Sequence, residues 1–297
     1  VKVLSKESII GFIGTGVMGQ SMAAHIQKAG YSLLVYNRTK EKATPLIENG
    51  AKWAETPKEL AQASDVVITM VGYPSDVEKL YLGSEGILQH MKQGALAIDM
   101  TTSSPALAEK LAQAGSEKGI SVLDAPVSGG DIGAKEARLS IMAGGKESSF
   151  TYAEPLLQLL GTNVVYQGKA GAGQHTKMCN QITIASNMMG ISEALLYARK
   201  SGLDPRQVLK SITSGAAGSW SLSNLVPRMI EGDFAPGFFI KHFIKDLKIA
   251  LDSARDMEIR TPGLELALSL YEELASKGQE DKGTQALIQL LDGSLDC

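Results

Sequence analysis

Cysteine is almost missing from this chain: Cys179 and Cys297 are the only two among 297 residues. Two thiols cannot build a disulfide framework, and without spaced Cys/His pairs they offer no zinc site, so a reducing, cytoplasmic setting is expected. Long apolar runs are missing as well. No stretch reaches the roughly 18 uncharged apolar residues of a membrane span, so no membrane partner is expected. Positive charge is not in excess, the formal net charge being -3; without a basic field to concentrate phosphates, no nucleic-acid partner is expected. Up to Ile13 the chain puts Lys6 and Glu7 before a short apolar run that continues into glycines rather than a cleavage site, so no targeting signal is expected there. Repeats and low-complexity linkers are absent. The four histidines, His25, His90, His175 and His242, share no metal-ligand spacing, so no metal is expected.

What is present suits two domains with substantial cores, given 297 residues of which 44% are hydrophobic. Between Ile9 and Tyr166 short apolar runs (IIGFI, LLVY, VVITMV, LAIDM, SVLDA, LSIMAGG, VVY) recur between amphipathic segments, among them Met18 to Ala29, Pro105 to Lys118 and Ser148 to Leu160. That alternation predicts an α/β domain with a doubly wound, mostly parallel sheet. After Gly168 the apolar residues recur at helical spacing only. A turn in KAGAGQ precedes a very long helix through Met178, Ile182, Ala185, Met189 and Leu195 to about Lys200, and helical patterns follow at Pro205 to Ile212, Phe238 to Met257, Pro262 to Ser276 and Thr284 to Leu291. The expected organisation is a Rossmann domain over 1–168 and an all-α domain over 169–297.

Gly14-Thr15-Gly16-Val17-Met18-Gly19 is a G-x-G-x-x-G between an apolar strand and an amphipathic helix, the context in which this common motif signals a dinucleotide site. Gly14 permits the tight turn, Gly16 lets the backbone approach a pyrophosphate, and Gly19 lets helix and strand pack closely. The helix N-terminus then offers free N–H groups and a positive dipole end to the phosphates. About 20 residues on, where an acid would bond the ribose 2′-hydroxyl of NAD, stands Asn37-Arg38-Thr39. Arg38 suits a 2′-phosphate and Asn37 and Thr39 can donate hydrogen bonds, so NADP(H) is preferred, with NAD(H) remaining open.

Four further segments join this loop: Asp99-Met100-Thr101-Thr102; Asp124-Ala125-Pro126-Val127-Ser128-Gly129-Gly130; Gly171 to Gln181, reading GAGQHTKMCNQ; and Lys245-Asp246-Leu247. In this order and spacing, over nearly the whole chain, they resemble the β-hydroxyacid dehydrogenase family, which includes 3-hydroxyisobutyrate dehydrogenase and tartronate semialdehyde (2-hydroxy-3-oxopropionate) reductase. The resemblance implies that Ser128, Gly129 and Gly130 hold a small carboxylate substrate, which agrees with the anion-binding concavity of successive glycine N–H groups. It implies that Thr102 with Met70, Val71 and Gly72 lines the nicotinamide side, that Lys177 is catalytic, and that Lys245 reaches the cofactor. Asn180 and Gln181, at i+3 and i+4 from Lys177, share its helix face, and either amide can orient the lysine or bond the substrate. Many members carry Asn at the fourth position, where this chain has Gln181; the K-x-x-N-Q form is more similar to the tartronate semialdehyde reductase branch.

The chemistry fits these types: a cation against a carbonyl oxygen stabilises the charge that hydride transfer places there and delivers a proton. The expected reaction is reversible hydride transfer on 3-hydroxyisobutyrate or 2-hydroxy-3-oxopropionate, with succinic semialdehyde or glyoxylate next. The alternative class is an idle NADP-binding interaction protein or an imine-reductase-like relative, against which Lys177 and the Ser-Gly-Gly loop stand. Cys179 is expected to pack as a small apolar group, and Ser219, Trp220, Leu222 and Phe239 to pack in a core, though each could wall a pocket. The long helix, apolar over much of its circumference, and the family resemblance imply a homodimer or homotetramer.

Overall fold

The computed structural model describes residues 4–295; Cys297 and the end of the expected second domain lie outside them. Among the described residues the chain forms two compact units that divide between Lys177 and Met178.

The first unit is a twisted sheet with helices between its strands. Its strands are β1 (Ile9–Ile13), β2 (Ser32–Tyr36), β3 (Lys52–Trp53), β4 (Val66–Thr69), β5 (Leu96–Asp99), β6 (Ser121–Asp124), β7 (Val127–Ser128), β8 (Leu139–Gly144) and β9 (Gly161–Gly168). The connecting helices are α1 (Val17–Lys28), α2 (Thr44–Glu48), α3 (Pro57–Ala63), α4 (Pro74–Leu82), α5 (Pro105–Glu117), α6 (Gly130–Lys135) and α7 (Glu147–Leu157). Strands β4 and β5 bury every residue, as expected where helices cover both faces of a sheet. Helices α3, α4 and α5 each begin on proline, whose fixed φ and missing N–H cost nothing at the first helical position. The hydroxyls of Thr56 and Ser104 accept from the first-turn N–H groups of Glu59 and Leu107.

Strand order is β3-β2-β1-β4-β5-β6-β8-β7, with β9 beside β8. From β3 to β6 every pair is parallel, and the chain reverses its direction of travel between β1 and β4. In such sheets the crevice beyond the strand carboxyl ends at this reversal is where ligands bind. The apolar run LSIMAGG departs from the parallel pattern, because β8 pairs antiparallel with β6 and β7. The link before it carries only the six-residue α6, and an antiparallel partner needs no covering crossover helix.

The second unit is helical. Helix α8 (Ala172–Lys200) runs across the division, its residues up to Lys177 belonging to the first unit; it starts six residues earlier than the apolar periodicity from Met178 implies, and its first turn includes Gly173. It is followed by α9 (Pro205–Ile212), α10 (Trp220–Asn224), α11 (Val226–Glu231), α12 (Ile240–Asp256), α13 (Pro262–Leu274) and α14 (Leu287–Leu291). The core of this unit gathers Ala185, Met188, Leu247, Leu264 and Leu274 around Phe243 and Tyr271, whose rings meet edge to face at 5.0 Å. Burying a ring of that size contributes about 1.5–3 kcal/mol, and the Tyr271 hydroxyl keeps a partner by donating to the Thr284 carbonyl at 2.9 Å. Among the described residues no helix is long and apolar enough to cross a membrane.

Candidate active site

The glycine loop leaves β1 at the sheet's reversal. Gly14 has φ +98°, and a Cβ there would lie 2.1 Å from the Met70 carbonyl oxygen; one on Gly19 would lie 1.8 Å from the Gly14 carbonyl oxygen. Both positions therefore require glycine. Gly16 differs, since a Cβ there meets nothing within 4 Å. It precedes Val17, the first residue of α1, and no side chain caps that helix, so its N–H groups face the open side with the dipole's positive end. Thr15 is buried with its hydroxyl unmatched by any hydrogen bond, Met18 is partly buried and Val17 exposed. This open glycine, uncapped helix start and unmet buried hydroxyl fit a dinucleotide.

The end of β2 closes the loop from the other side. Asn37 Oδ1 accepts from the Thr15 N–H at 3.0 Å, and its Nδ2 donates to the Thr39 carbonyl at 2.9 Å, so Asn37 shapes the backbone. Arg38 extends into solvent, 86% exposed, with Asp76 at 3.8 Å as its ionic neighbour. Its guanidinium is thus available to an anion.

Beyond β4 and β5 lies a buried polar array. The Thr69 hydroxyl donates to Asp99 Oδ1 at 2.9 Å and meets the Tyr81 hydroxyl at 2.9 Å. Asp99 Oδ1 also accepts from the Thr101 N–H at 3.1 Å, and Thr101 Oγ1 accepts from the Val71 N–H at 3.0 Å. The segments holding Met70, Val71 and Gly72 on one side and Thr102 on the other are thereby tied together through Thr101. Burial pushes the Asp99 carboxyl up to about 6, against the pull of its hydrogen bonds from Thr101 and Thr69.

Next along the sheet, Asp124 at the end of β6 takes hold of the start of α8. Its Oδ1 accepts from the Gly171 N–H at 2.8 Å and its Oδ2 from the Gln174 N–H at 2.9 Å. Burial raises this carboxyl to about 6 as well, opposed chiefly by those two N–H groups. A Cβ on Gly173 would lie 2.3 Å from the Met142 carbonyl oxygen, so glycine lets the helix settle onto the sheet. The Gln174 side chain, fully buried, accepts from the Ser103 N–H at 2.9 Å and donates to the Thr101 carbonyl at 2.8 Å. Lys177 follows one turn later and is only 6% exposed.

The Ser-Gly-Gly loop stands between β7 and α6. Ser128 pairs with Ser140 on β8, while Gly129 and Gly130 take φ +132° and +64°, conformations that free successive N–H groups from the strand ladder. His25 Nε2 lies 3.0 Å from the Ala134 carbonyl oxygen and so ties α6 to α1.

In the second unit the two amides of interest are joined in series. Asn180 Nδ2 donates to Gln181 Oε1 at 2.7 Å, Gln181 Nε2 donates to Asp246 Oδ2 at 2.6 Å, and Lys245 Nζ lies 3.0 Å from Asp246 Oδ1. Asp246 is 1% exposed and the Lys245 side chain 12%, so this is a buried ion pair and not a surface one.

The N-terminal region, residues 9–168, matches the family described as the NAD binding domain of 6-phosphogluconate dehydrogenase, and residues 171–291 match the NAD-binding domain of NADP-dependent 3-hydroxyisobutyrate dehydrogenase. The 2-hydroxy-3-oxopropionate reductase of Escherichia coli is 39% identical over 95% of this chain and 97% of its own. An uncharacterized oxidoreductase of Bacillus subtilis, YkwC, is 59% identical over 95% and 98%. The chain belongs to the β-hydroxyacid dehydrogenase family. Among solved structures, Mycobacterium tuberculosis 3-hydroxyisobutyrate dehydrogenase with L-serine superposes with a TM-score of 0.89 at 30% identity, covering 96% of this chain and 99% of that one.

As a member of the β-hydroxyacid dehydrogenase family the chain is an NAD(P)-dependent oxidoreductase acting on CH–OH groups. Within this family site, sequence reasoning assigned no role to Asp99, Asp124 or Gln174. Two of these stand in quoted motifs as acids at strand ends, and an acid closing an apolar strand is the signal that marks them. Two packing expectations are corrected. Cys179 is exposed on α8, because the turn that buries Met178 carries the next residue outward. Trp220 is 65% exposed, since Ser219 caps α10 by accepting from the Leu222 N–H and so turns Leu222, not Trp220, inward.

Proposed function

We propose that this β-hydroxyacid dehydrogenase interconverts a short β-hydroxy acid and its semialdehyde with NADP(H), using Lys177 as proton donor and acceptor. The observation that carries the reading is a lysine held at 6% exposure one turn beyond the clamped start of α8, since lysines are almost never this buried unless they are paired or used. When bound, the nicotinamide supplies or takes the hydride. In the reductive direction the carbonyl oxygen gains negative charge, and the Lys177 ammonium stabilises it and then gives up a proton. For oxidation the amine works in its neutral form and accepts the hydroxyl proton.

Gly14, Thr15, Gly16, Val17, Met18 and Gly19 are assigned to the pyrophosphate. Arg38, with Asn37 and Thr39, goes to a 2′-phosphate, which favours NADP(H) over NAD(H); Met70, Val71, Gly72 and Thr102 are assigned to the nicotinamide side and Lys245 to the cofactor. Ser128, Gly129 and Gly130 are assigned to the substrate carboxylate, and Asn180 and Gln181 to substrate or lysine. On this reading residues 1–168 bind cofactor and 169–297 serve substrate binding and assembly into a homodimer or homotetramer in the cytoplasm. 3-Hydroxyisobutyrate and 2-hydroxy-3-oxopropionate stand first as substrates, because relatives 36–39% identical carry those names.

The test is consumption of NADPH and NADH with a panel of semialdehydes and glyoxylate, alongside Lys177→Ala. Loss of turnover in the variant supports the reading, and equal rates overturn it. Light scattering near the 31.5 kDa of one chain would overturn the assembly.

A further inference from the structure

We infer that Gln174 is a positioning residue that holds Lys177 and the Thr101–Ser103 segment in one fixed geometry. The inference rests on the assignment of Lys177 above.

Both ends of the Gln174 amide are committed, one to the Ser103 N–H and the other to the Thr101 carbonyl, at 2.9 and 2.8 Å. One side chain thus grips the backbone on either side of Thr102, leaving that residue no independent movement relative to α8. The Gln174 N–H donates to Asp124, so the same residue is fixed to β6 by its main chain and to the β5 loop by its side chain. Thr101 in turn bonds Val71 and Asp99. A continuous set of hydrogen bonds therefore runs from the β4 loop through Thr101 and Gln174 to the helix turn that carries Lys177. Gln174 and Lys177 are spaced i, i+3 on α8 and lie on one face. A shift of about 1 Å between reacting groups can cost a hundredfold in rate, so a fully buried amide bridging them governs turnover more than binding.

Gln174→Glu distinguishes this role from mere packing. A protonated glutamic acid has the shape of glutamine and keeps one donor and one acceptor; an ionised one sets an oxygen anion against the Thr101 carbonyl. Full burial and the Thr101 carbonyl facing it raise a carboxyl at this position above its ordinary range, as burial does for Asp99 and Asp124 nearby, and so favour its protonated form in mildly acidic buffer. The experiment measures kcat for wild type and Gln174→Glu from pH 5.5 to 8, using NADPH and whichever of 2-hydroxy-3-oxopropionate, succinic semialdehyde and glyoxylate wild type reduces fastest. The variant-to-wild-type ratio is expected to fall at least about tenfold as pH rises, with KM for NADPH within about twofold. The variant-to-wild-type ratio of hydrogen-exchange rates at the Ser103 N–H, compared at each pH in cofactor-free protein, should rise in step. A ratio that stays flat with pH, or a loss confined to KM for NADPH, overturns the inference.

Gln174→Met, which keeps the volume and drops both bonds, covers the case in which the glutamate does not fold. Its kcat is expected about tenfold down, with a larger isotope effect from [4-²H]NADPH as hydride transfer becomes rate-limiting; wild-type values for both overturn the inference. Lys177→Ala run in parallel separates the two assignments. If it retains wild-type kcat, the Lys177 reading fails and this inference with it; if it is inactive while both Gln174 variants behave as packing changes, only the inference fails.

Discussion

Gln181 donates from Nε2 to Asp246 Oδ2 at 2.6 Å, a contact between α8 and α12 that shares its carboxylate with Lys245. A buried charge is held by its partners, and removing one partner costs more than the pair itself contributes. Asp246→Ala takes the counter-charge from a lysine side chain 12% exposed and should destabilise the protein by about 3–5 kcal/mol in urea unfolding. A loss under about 1 kcal/mol would show the ion pair to be incidental.

The two glycines at the mouth of the α1 helix should respond oppositely to alanine. Gly14→Ala sets a Cβ 2.1 Å from the Met70 carbonyl oxygen at φ +98° and should cost at least about 2 kcal/mol. Gly16→Ala meets open space at an extended φ of -72°, so stability should hold or rise by up to about 1 kcal/mol. Its NADPH affinity, read by nucleotide fluorescence, should nevertheless fall at least about tenfold, since the methyl takes the room the pyrophosphate needs. Unchanged affinity would move the phosphates elsewhere.

Asp99 and Asp124 give stability an unusual pH slope. Both carboxyls are raised from 3.8 to about 6 by burial, so between those values the folded protein holds protons that the unfolded chain has released. Their contribution is complete below about pH 4 and is lost as pH rises through 6, amounting at most to the order of 3 kcal/mol each. Asp99→Asn should therefore gain stability relative to wild type as pH goes from 4.5 to 7.5, read from urea midpoints. Parallel curves for the two proteins would refute the raised carboxyl.

Cofactor choice should turn on Arg38 and its neighbour. Arg38→Ala should lower the NADPH-to-NADH ratio of kcat/KM by about tenfold or more, the loss of a charge-assisted bidentate contact. Asp76→Asn removes the carboxylate 3.8 Å from that guanidinium and should raise kcat/KM for NADPH severalfold at low salt, an effect that shrinks as salt screens it. A ratio untouched by Arg38→Ala would place the 2′-phosphate away from the end of β2.

Local pattern carried most of the fold. The Ile9–Ile13 strand and the Pro205–Ile212 helix follow the apolar runs and their proline and glycine boundaries residue for residue, and the Ser32–Tyr36 strand adds one residue to the run LLVY. The direction of β8 was hidden, because an apolar run of that length reads the same in a parallel or an antiparallel neighbour. Contiguous motifs marked the glycine loop and Lys177. Asp124 and Gln174 stand inside quoted motifs, but their roles were not legible there, since their decisive partners lie 47 to 73 residues away and a single distant hydrogen bond imposes no periodicity. That Asp246 is buried was not legible from Lys245-Asp246-Leu247, because Gln181, the group that helps hold its carboxylate in the interior, arrives from another helix.

Helices α1 and α8 both begin on glycine-rich turns, and they have opposite electrostatic fates. At α8 the partial positive end is already neutralised from within by an aspartate from a distant strand, whereas at α1 no side chain performs that service. Two stretches alike on paper thus differ in their appetite for an outside anion, and the difference is decided by where a remote acid happens to land.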